Sequence, residues 1–161
     1  GGGREVMKNK GEEYQLVWKE RTGFARMAMA HGYDIIPFAA VGADDAFDIR
    51  YDANDFYQSK LGQLVKKTGI KDKYLRGGDA FVPLATGLGL LPRPEKFYFA
   101  FGERISTAHV QVDSENKDIQ WQVREQVESA IYGLMQDLFV QREQEQTQWP
   151  LWRKKLTKRD E

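Results

Sequence analysis

The chain has 161 residues, with 24 Lys and Arg against 24 Asp and Glu, so its formal charge is zero. That balance argues against a polybasic nucleic-acid binder, and 41% apolar with 12% aromatic residues argues against disorder. The absence of cysteine excludes disulfides, thiolate metal sites and a Cys nucleophile, and leaves the compartment open.

Only His31 and His109 are available for imidazole chemistry. The longest apolar stretch, Ala80 to Leu91, is about half of what a bilayer span needs, and it carries Pro83, Gly87 and Gly89. Neither a transmembrane helix nor a signal-peptide core is expected in these residues. The chain opens Gly1-Gly2-Gly3 without an initiator Met, which fits an added tag or a gene product that starts further upstream.

In chain order, Glu13 to Trp18 reads as a short extended or loop segment. Arg21 to Ala30 reads as a helix, because Phe24, Met27 and Ala28 share one face, and Gly32 supplies a stop signal. Ile35 to Val41 suits a buried strand, with Pro37 forcing an irregularity or an edge. Asp44, Asp45, Asp48, Asp52 and Asp55 make the next stretch acidic. Phe56 to Lys67 reads as one short amphipathic helix, and Gly69 to Asp79 as polar turns. Ala80 to Pro94 reads as an apolar loop or broken helix. Phe97, Phe99 and Phe101 alternate as in a strand, and Gly102 ends it. Ser114 to Gln141 is the strongest helix. Its stripe of Ile119, Val123, Val127, Ile131, Leu134, Met135 and Leu138 should pack on the sheet, and Asp113 or Ser114 should cap it.

Several chemistries fail at the motif level. There is no GxSxG elbow and no GxxxxGK[ST] loop, and Gly87-x-Gly89 lacks the third glycine of a dinucleotide fingerprint. The Asp44–Asp55 cluster lacks EF-hand spacing, so a solvated or helix-capping role is expected there and no metal site. His109 and Asp113 form an H-x3-D pair, for which an N-cap Asp is the simpler reading. His31 fits the C-terminal end of a helix, next to the dipole. Gly1-Gly2-Gly3-Arg4-Glu5 offers free backbone N–H groups beside a guanidinium, a combination suited to an anion or a carbonyl oxygen.

Taken in order, these segments resemble a known family. Gly1-Gly2-Gly3-Arg4-Glu5-Val6 is similar to the third conserved block of the glycerolipid (lysophospholipid) acyltransferases. The closer likeness is to the branch holding the second kind of diacylglycerol acyltransferases and the plant phytyl ester synthases. Gly11 to Trp18 and Arg21 to Ala28 resemble the same branch. Ile35-Ile36-Pro37-Phe38 is similar to the fourth block. Val41-Gly42-Ala43-Asp44-Asp45 and Tyr98 to Ile105 resemble its later segments. The resemblance covers roughly residues 1 to 140.

The resemblance implies an α/β fold with a mixed, largely parallel sheet flanked by helices and with its N-terminal part missing. It divides the chain into residues 1–141, the C-terminal part of an acyltransferase domain, and 142–161, a charged tail bearing Trp149 and Trp152. It implies an O-acyltransferase that moves a fatty acyl group from acyl-CoA or acyl carrier protein to a lipid hydroxyl. No other cofactor or metal is implied, and no nucleic acid. The family's H-x4-D catalytic pair is absent here, so it is expected upstream, and the fragment alone should be inactive. Substrate binding would fall to Gly1, Gly2, Gly3, Arg4 and Glu5. Gly1 stands where the family usually has Glu and Gly3 where it has Thr, which favours a neutral glycerolipid or long-chain alcohol as acceptor. The expected setting is cytoplasmic and peripheral to a membrane. Ala80–Leu91 and the Trp-bearing basic tail are the candidate membrane contacts. The rival reading is a non-catalytic lipid-binding module, and a hydrolase is a third option.

Overall fold

In the computed structural model of the chain, residues 8–67, 82–89 and 91–157 are described. The elements run α1 (Gly23–His31), β1 (Asp34–Ile35), β2 (Phe38–Val41), β3 (Asp48–Tyr51), α2 (Ala53–Gln58), α3 (Lys60–Lys67) and β4 (Leu84–Thr86). They continue with β5 (Tyr98–Phe101), β6 (Ile105–Ser106), a 3-10 turn (Ala108–Asp113), α4 (Lys117–Gln146) and α5 (Leu151–Thr157). The chain forms two compact units. One comprises residues 1–18, 43–95 and 152–161, and the other residues 19–42 and 96–151.

In the second unit, α1 ends as its sequence requires. Gly32 takes φ 62°, its N–H donates to the Met29 carbonyl at 3.0 Å, and the Tyr33 N–H donates to that of Ala28 at 2.9 Å. The following apolar run splits at Ile36–Pro37 into β1 and β2, because proline cannot donate to a ladder. Pro37 remains useful as an acceptor, and its carbonyl receives the Gly102 N–H at 2.8 Å.

The helix-and-strand composition stands, but the largely parallel sheet does not. Among the described residues, the ladders are three two-stranded antiparallel pairs: β1 with β6, β2 with β5, and β3 with β4. Apolar runs identify strands without stating their direction. Here the chain returns to β2 and β1 running the opposite way, giving Phe38 opposite Phe101 and Val41 opposite Tyr98.

One face of the β2–β5 ladder is buried, through Ala39, Val41 and Tyr98. The helix α4 packs against both strands. Its stripe holds Val123, Val127, Ile131, Met135 and Leu138 out of water, and Ile119 and Leu134 are half-buried. The opposite face carries Phe38, Phe99 and Phe101. These rings lie 4.9 to 5.9 Å apart by centroid and remain exposed.

The α4 N-cap is Asn116, whose Oδ1 accepts the Asp118 N–H at 3.0 Å, rather than Asp113 or Ser114. Those two are taken up by the 3-10 turn, which delays the helix, and α4 then runs on to Gln146. Near its start a buried polar knot is satisfied from several sides. Thr22 Oγ1 donates to Gln120 Oε1 at 2.7 Å, and Gln120 Nε2 donates to the Ser114 carbonyl at 2.7 Å.

In the first unit, the single helix expected over Phe56–Lys67 is instead two. Ser59 is extended, with φ −66° and ψ 160°, and its hydroxyl donates to the Phe56 carbonyl at 2.6 Å while accepting the Gly62 N–H at 3.1 Å. One serine therefore closes α2 and caps α3. The stretch expected to be loop or broken helix contains β4, paired with β3. A Cβ at Gly87 would lie 2.3 Å from the Leu91 carbonyl oxygen and 2.8 Å from that of Ala46, so this fold-back admits only glycine.

Candidate functional site

The side chains of the acidic run are taken up by contacts within the fold. Asp52 and Asp55 form a capping box on α2, as a helix-capping reading expects. Their carboxylates reach further, to the segment that immediately follows the glycine-rich block. Asp52 Oδ2 accepts the Lys10 N–H at 3.0 Å, and Asp55 Oδ2 accepts Lys10 Nζ at 2.5 Å. Asp44 Oδ2 accepts both Lys8 Nζ at 2.6 Å and the Tyr14 N–H at 2.7 Å. The Tyr14 hydroxyl donates to the Asp45 carboxylate. Tyr14 sits at φ 58°, a costly conformation for a bulky residue, and these two aspartates hold it there. Four carboxylates thus fasten Lys8–Tyr14. Among the described residues, no group of three or more His, Asp or Glu side chains is arranged to hold a metal ion.

Lys10 is the main reason that Asp55 titrates low. Its ammonium comes first among the causes, followed by the Asp52 N–H. A folded-state pKa below the unfolded value means a contribution that is present above the ordinary carboxylate pKa, about 3.9, and lost as pH falls through the depressed value. An NMR titration of the Asp55 carboxyl carbon should therefore give a midpoint below that of a free Asp. Lys10→Gln should raise it. A midpoint at or above the ordinary value in the wild type rules out the clasp.

Beside the clasp lies a cleft of about 160 Å³, lined by Ala43, Phe47, Ile49, Pro83 and Ala85, with Lys8, Glu13 and Asp44 at its polar side. The strand β3 that supplies Ile49 to the cleft is held by a pair that sequence reasoning missed. Arg93 is 5% exposed, and its guanidinium grips Asp48 on β3 with both Nη atoms, the Nη1–Oδ1 contact being 3.1 Å. Its Nη1 also donates to the Asp45 carbonyl at 3.3 Å, and its backbone N–H to that of Ala46 at 2.9 Å. The available signal was Pro92-Arg93-Pro94, a lone cation between two prolines at the end of an apolar stretch.

Gly1, Gly2, Gly3, Arg4 and Glu5 lie outside the described residues. So do Ala80, Phe81 and Leu90 of the apolar stretch. Of the rest of that stretch, Pro83 and Ala85 face the cleft, whereas Val82, Leu84, Leu88 and Leu91 are exposed. His31 lies exposed in the last turn of α1 and stacks on Tyr33 at 5.2 Å. His109 lies exposed in the 3-10 turn. Among the described residues neither makes a hydrogen bond or ion pair to a carboxylate, so the H-x3-D pair is not assembled.

The family model described as diacylglycerol acyltransferase matches residues 1–144. The chain belongs to the diacylglycerol acyltransferase family. It is 35% identical over 153 residues to phytyl ester synthase 2, chloroplastic, of Arabidopsis thaliana, covering 89% of this chain and 21% of that protein. Phytyl ester synthase 1, chloroplastic, of the same plant is 33% identical, covering 84% of this chain and 21% of the relative. The human 2-acylglycerol O-acyltransferase 3 is 31% identical over 93 residues, covering 57% of this chain and 27% of that protein. This diacylglycerol acyltransferase-family chain thus spans about a fifth of the length of the phytyl ester synthases it matches. No solved structure is significantly similar. Among the described residues of this family member, no helix is long and apolar enough to cross a membrane.

Proposed function

We propose that this chain is the acceptor-binding part of an O-acyltransferase that esterifies a neutral lipid hydroxyl with a fatty acyl group. The observation that carries the reading is the family match over residues 1–144, whose named relatives include phytyl ester synthases and an acylglycerol O-acyltransferase. The donor is a thioester, acyl-CoA or acyl carrier protein. The acceptor hydroxyl attacks its carbonyl, a His takes the hydroxyl proton, and the thiol leaves with that proton. The His–Asp pair for this step belongs to residues upstream of Gly1. Neither histidine of this chain takes its place.

In this reading Gly1–Gly3 donate backbone N–H groups and Arg4 holds the donor's phosphates or the acceptor's oxygen. The Asp clasp holds Lys8–Tyr14, the segment that follows this block in the sequence. The apolar cleft beside the clasp accepts hydrocarbon from the lipid. Gly1 and Gly3, in place of charged and hydroxyl side chains, favour an uncharged acceptor.

The test is acyl transfer by the gene product extended upstream and by the 161-residue chain, each given labelled acyl-CoA with neutral and phosphorylated acceptors. Activity is expected only in the extended protein and on neutral acceptors. In that protein Arg4→Ala should lower the rate by more than about tenfold, the scale of one charge-assisted contact, with its melting temperature unchanged. Wild-type kinetics would remove Arg4 from the site. Lipid binding without transfer by the extended protein would favour the non-catalytic module.

A further inference from the structure

The β3–β4 ladder contains an uneven pair. Ile49 stands directly opposite Ala85, and both residues line the cleft. Alanine is a poor strand residue, because it offers little side chain to a cross-strand neighbour. Here the missing volume becomes space. Ala43 and Ala85 are the small members of the apolar lining, and Phe47, Ile49 and Pro83 supply its bulk.

The segments around this space are fastened at several points. Asp44 is tied to Lys8 and to the Tyr14 N–H. Arg93 donates to the Asp45 and Ala46 carbonyls and grips Asp48 on β3. Just past β4, the bare backbone of Gly87 lets the Ala46 and Leu91 carbonyls approach. Such fastening suits a site that is formed before its guest arrives. Size then limits the guest. The cleft's volume of about 160 Å³ is well short of the about 300–1,000 Å³ that encloses a drug-sized ligand. At about 30 Å³ for each water-sized group, it holds about five methylenes. An α-helix, about 10 Å across, is too wide for it. The Lys8 ammonium is paired with Asp44 at 2.6 Å, so a guest gains by burying hydrocarbon rather than by bringing an anion.

We propose that the cleft seats about five methylenes of one linear alkyl chain, and that Ala85 and Ala43 determine how much of the chain it admits. The proposal rests on the acyltransferase reading and deepens it. Two chains of this chemistry take part in that reaction, the donor's acyl group and the acceptor's hydrocarbon, and the experiment tells them apart.

The experiment is photolabelling of the full-length protein with two probes, a long-chain acyl-CoA and a long-chain primary alkanol. Each is made with a diazirine at mid-chain or at the chain end, and labelled peptides are mapped by mass spectrometry. Label is expected within residues 43–49 or 83–85, displaced by excess unlabelled chain. The probe that delivers it identifies the chain as donor or acceptor. Ala85→Leu adds three carbons where the chain would lie. At about fourfold in affinity per methylene, it should cut that label by about tenfold or more. Ala43→Leu should act in the same direction, and it carries the comparison if Ala85→Leu lowers the melting temperature, because Ala43 is exposed. Three results overturn the proposal: no label in these segments from either probe, label that unlabelled chain does not displace, or undiminished label in the folded leucine variants. Failure of the acyltransferase reading looks different. The cleft would then take label in a protein that transfers no acyl group, whereas transfer without label would remove the cleft alone.

Discussion

Val127→Asp should abolish the cooperative melt of the second unit. Val127 is 4% exposed, in the middle of the α4 stripe that covers β2 and β5. A carboxylate there would be taken out of water within a mainly apolar stripe, and a buried charge costs about 3–5 kcal/mol, a large part of a domain's total stability. Ile131→Val at the next turn removes one methylene and should cost only about 1 kcal/mol. The contrast separates burial of charge from loss of packing. A denaturation midpoint unchanged by Val127→Asp would mean that this stripe does not face the sheet.

Asp48→Ala should do comparable damage in the first unit, by a different route. Asp48 is an ion-pair partner of Arg93, whose side chain is 4% exposed. Removing it takes from a buried guanidinium the carboxylate that both its Nη atoms grip, a loss on the scale of breaking a buried ion pair, about 3–5 kcal/mol. Replacing Asp48 and Arg93 together by Leu and Met should cost much less than Asp48→Ala alone, because no charge is then left behind. Equal losses in the single and double variants would mean that the ion pair is not what holds β3. Denaturant midpoints of the full-length protein decide the matter, and the cleft wall at Ile49 should loosen in step with them.

These two sites differ in how far the sequence disclosed them. The α4 stripe is legible because one periodicity, 3–4 residues, maps directly onto one buried face. Arg93 is not, since its partner lies 45 positions away and no local pattern joins Asp48 to a Pro-flanked arginine. The break at Pro37 is legible for a covalent reason. The break at Ser59 is not, because serine ends or continues a helix according to which carbonyl its hydroxyl finds. The alternation of Phe97, Phe99 and Phe101 announces a strand, and it is silent about which side is covered. In the structure the small and hydroxyl-bearing residues Ala39, Ala100 and Tyr98 turn toward α4, and the large rings turn away. Pairing direction was likewise hidden, since antiparallel and parallel strands share the same period. At the site, the aspartates were legible as caps. Their second use, gripping Lys8, Lys10 and Tyr14, depends on contacts 30 to 45 residues apart.

The second unit is assembled from residues 19–42 and 96–151, with most of the first unit spliced between them. That arrangement sets a timetable for biosynthesis. At about 5–20 residues per second on the ribosome, β2 emerges several seconds before β5, its only ladder partner among the described residues, and longer still before α4 can cover it. During that interval Ala39 and Val41 lack the cover they have in the fold, whereas α2 and α3 can already pair with each other. The nascent chain is therefore most open to chaperone capture, and to mistaken strand exchange with a neighbouring polysome product, while residues 43–95 are being made. Synonymous codons that slow this stretch would lengthen the exposure and lower the soluble yield without altering a single side chain.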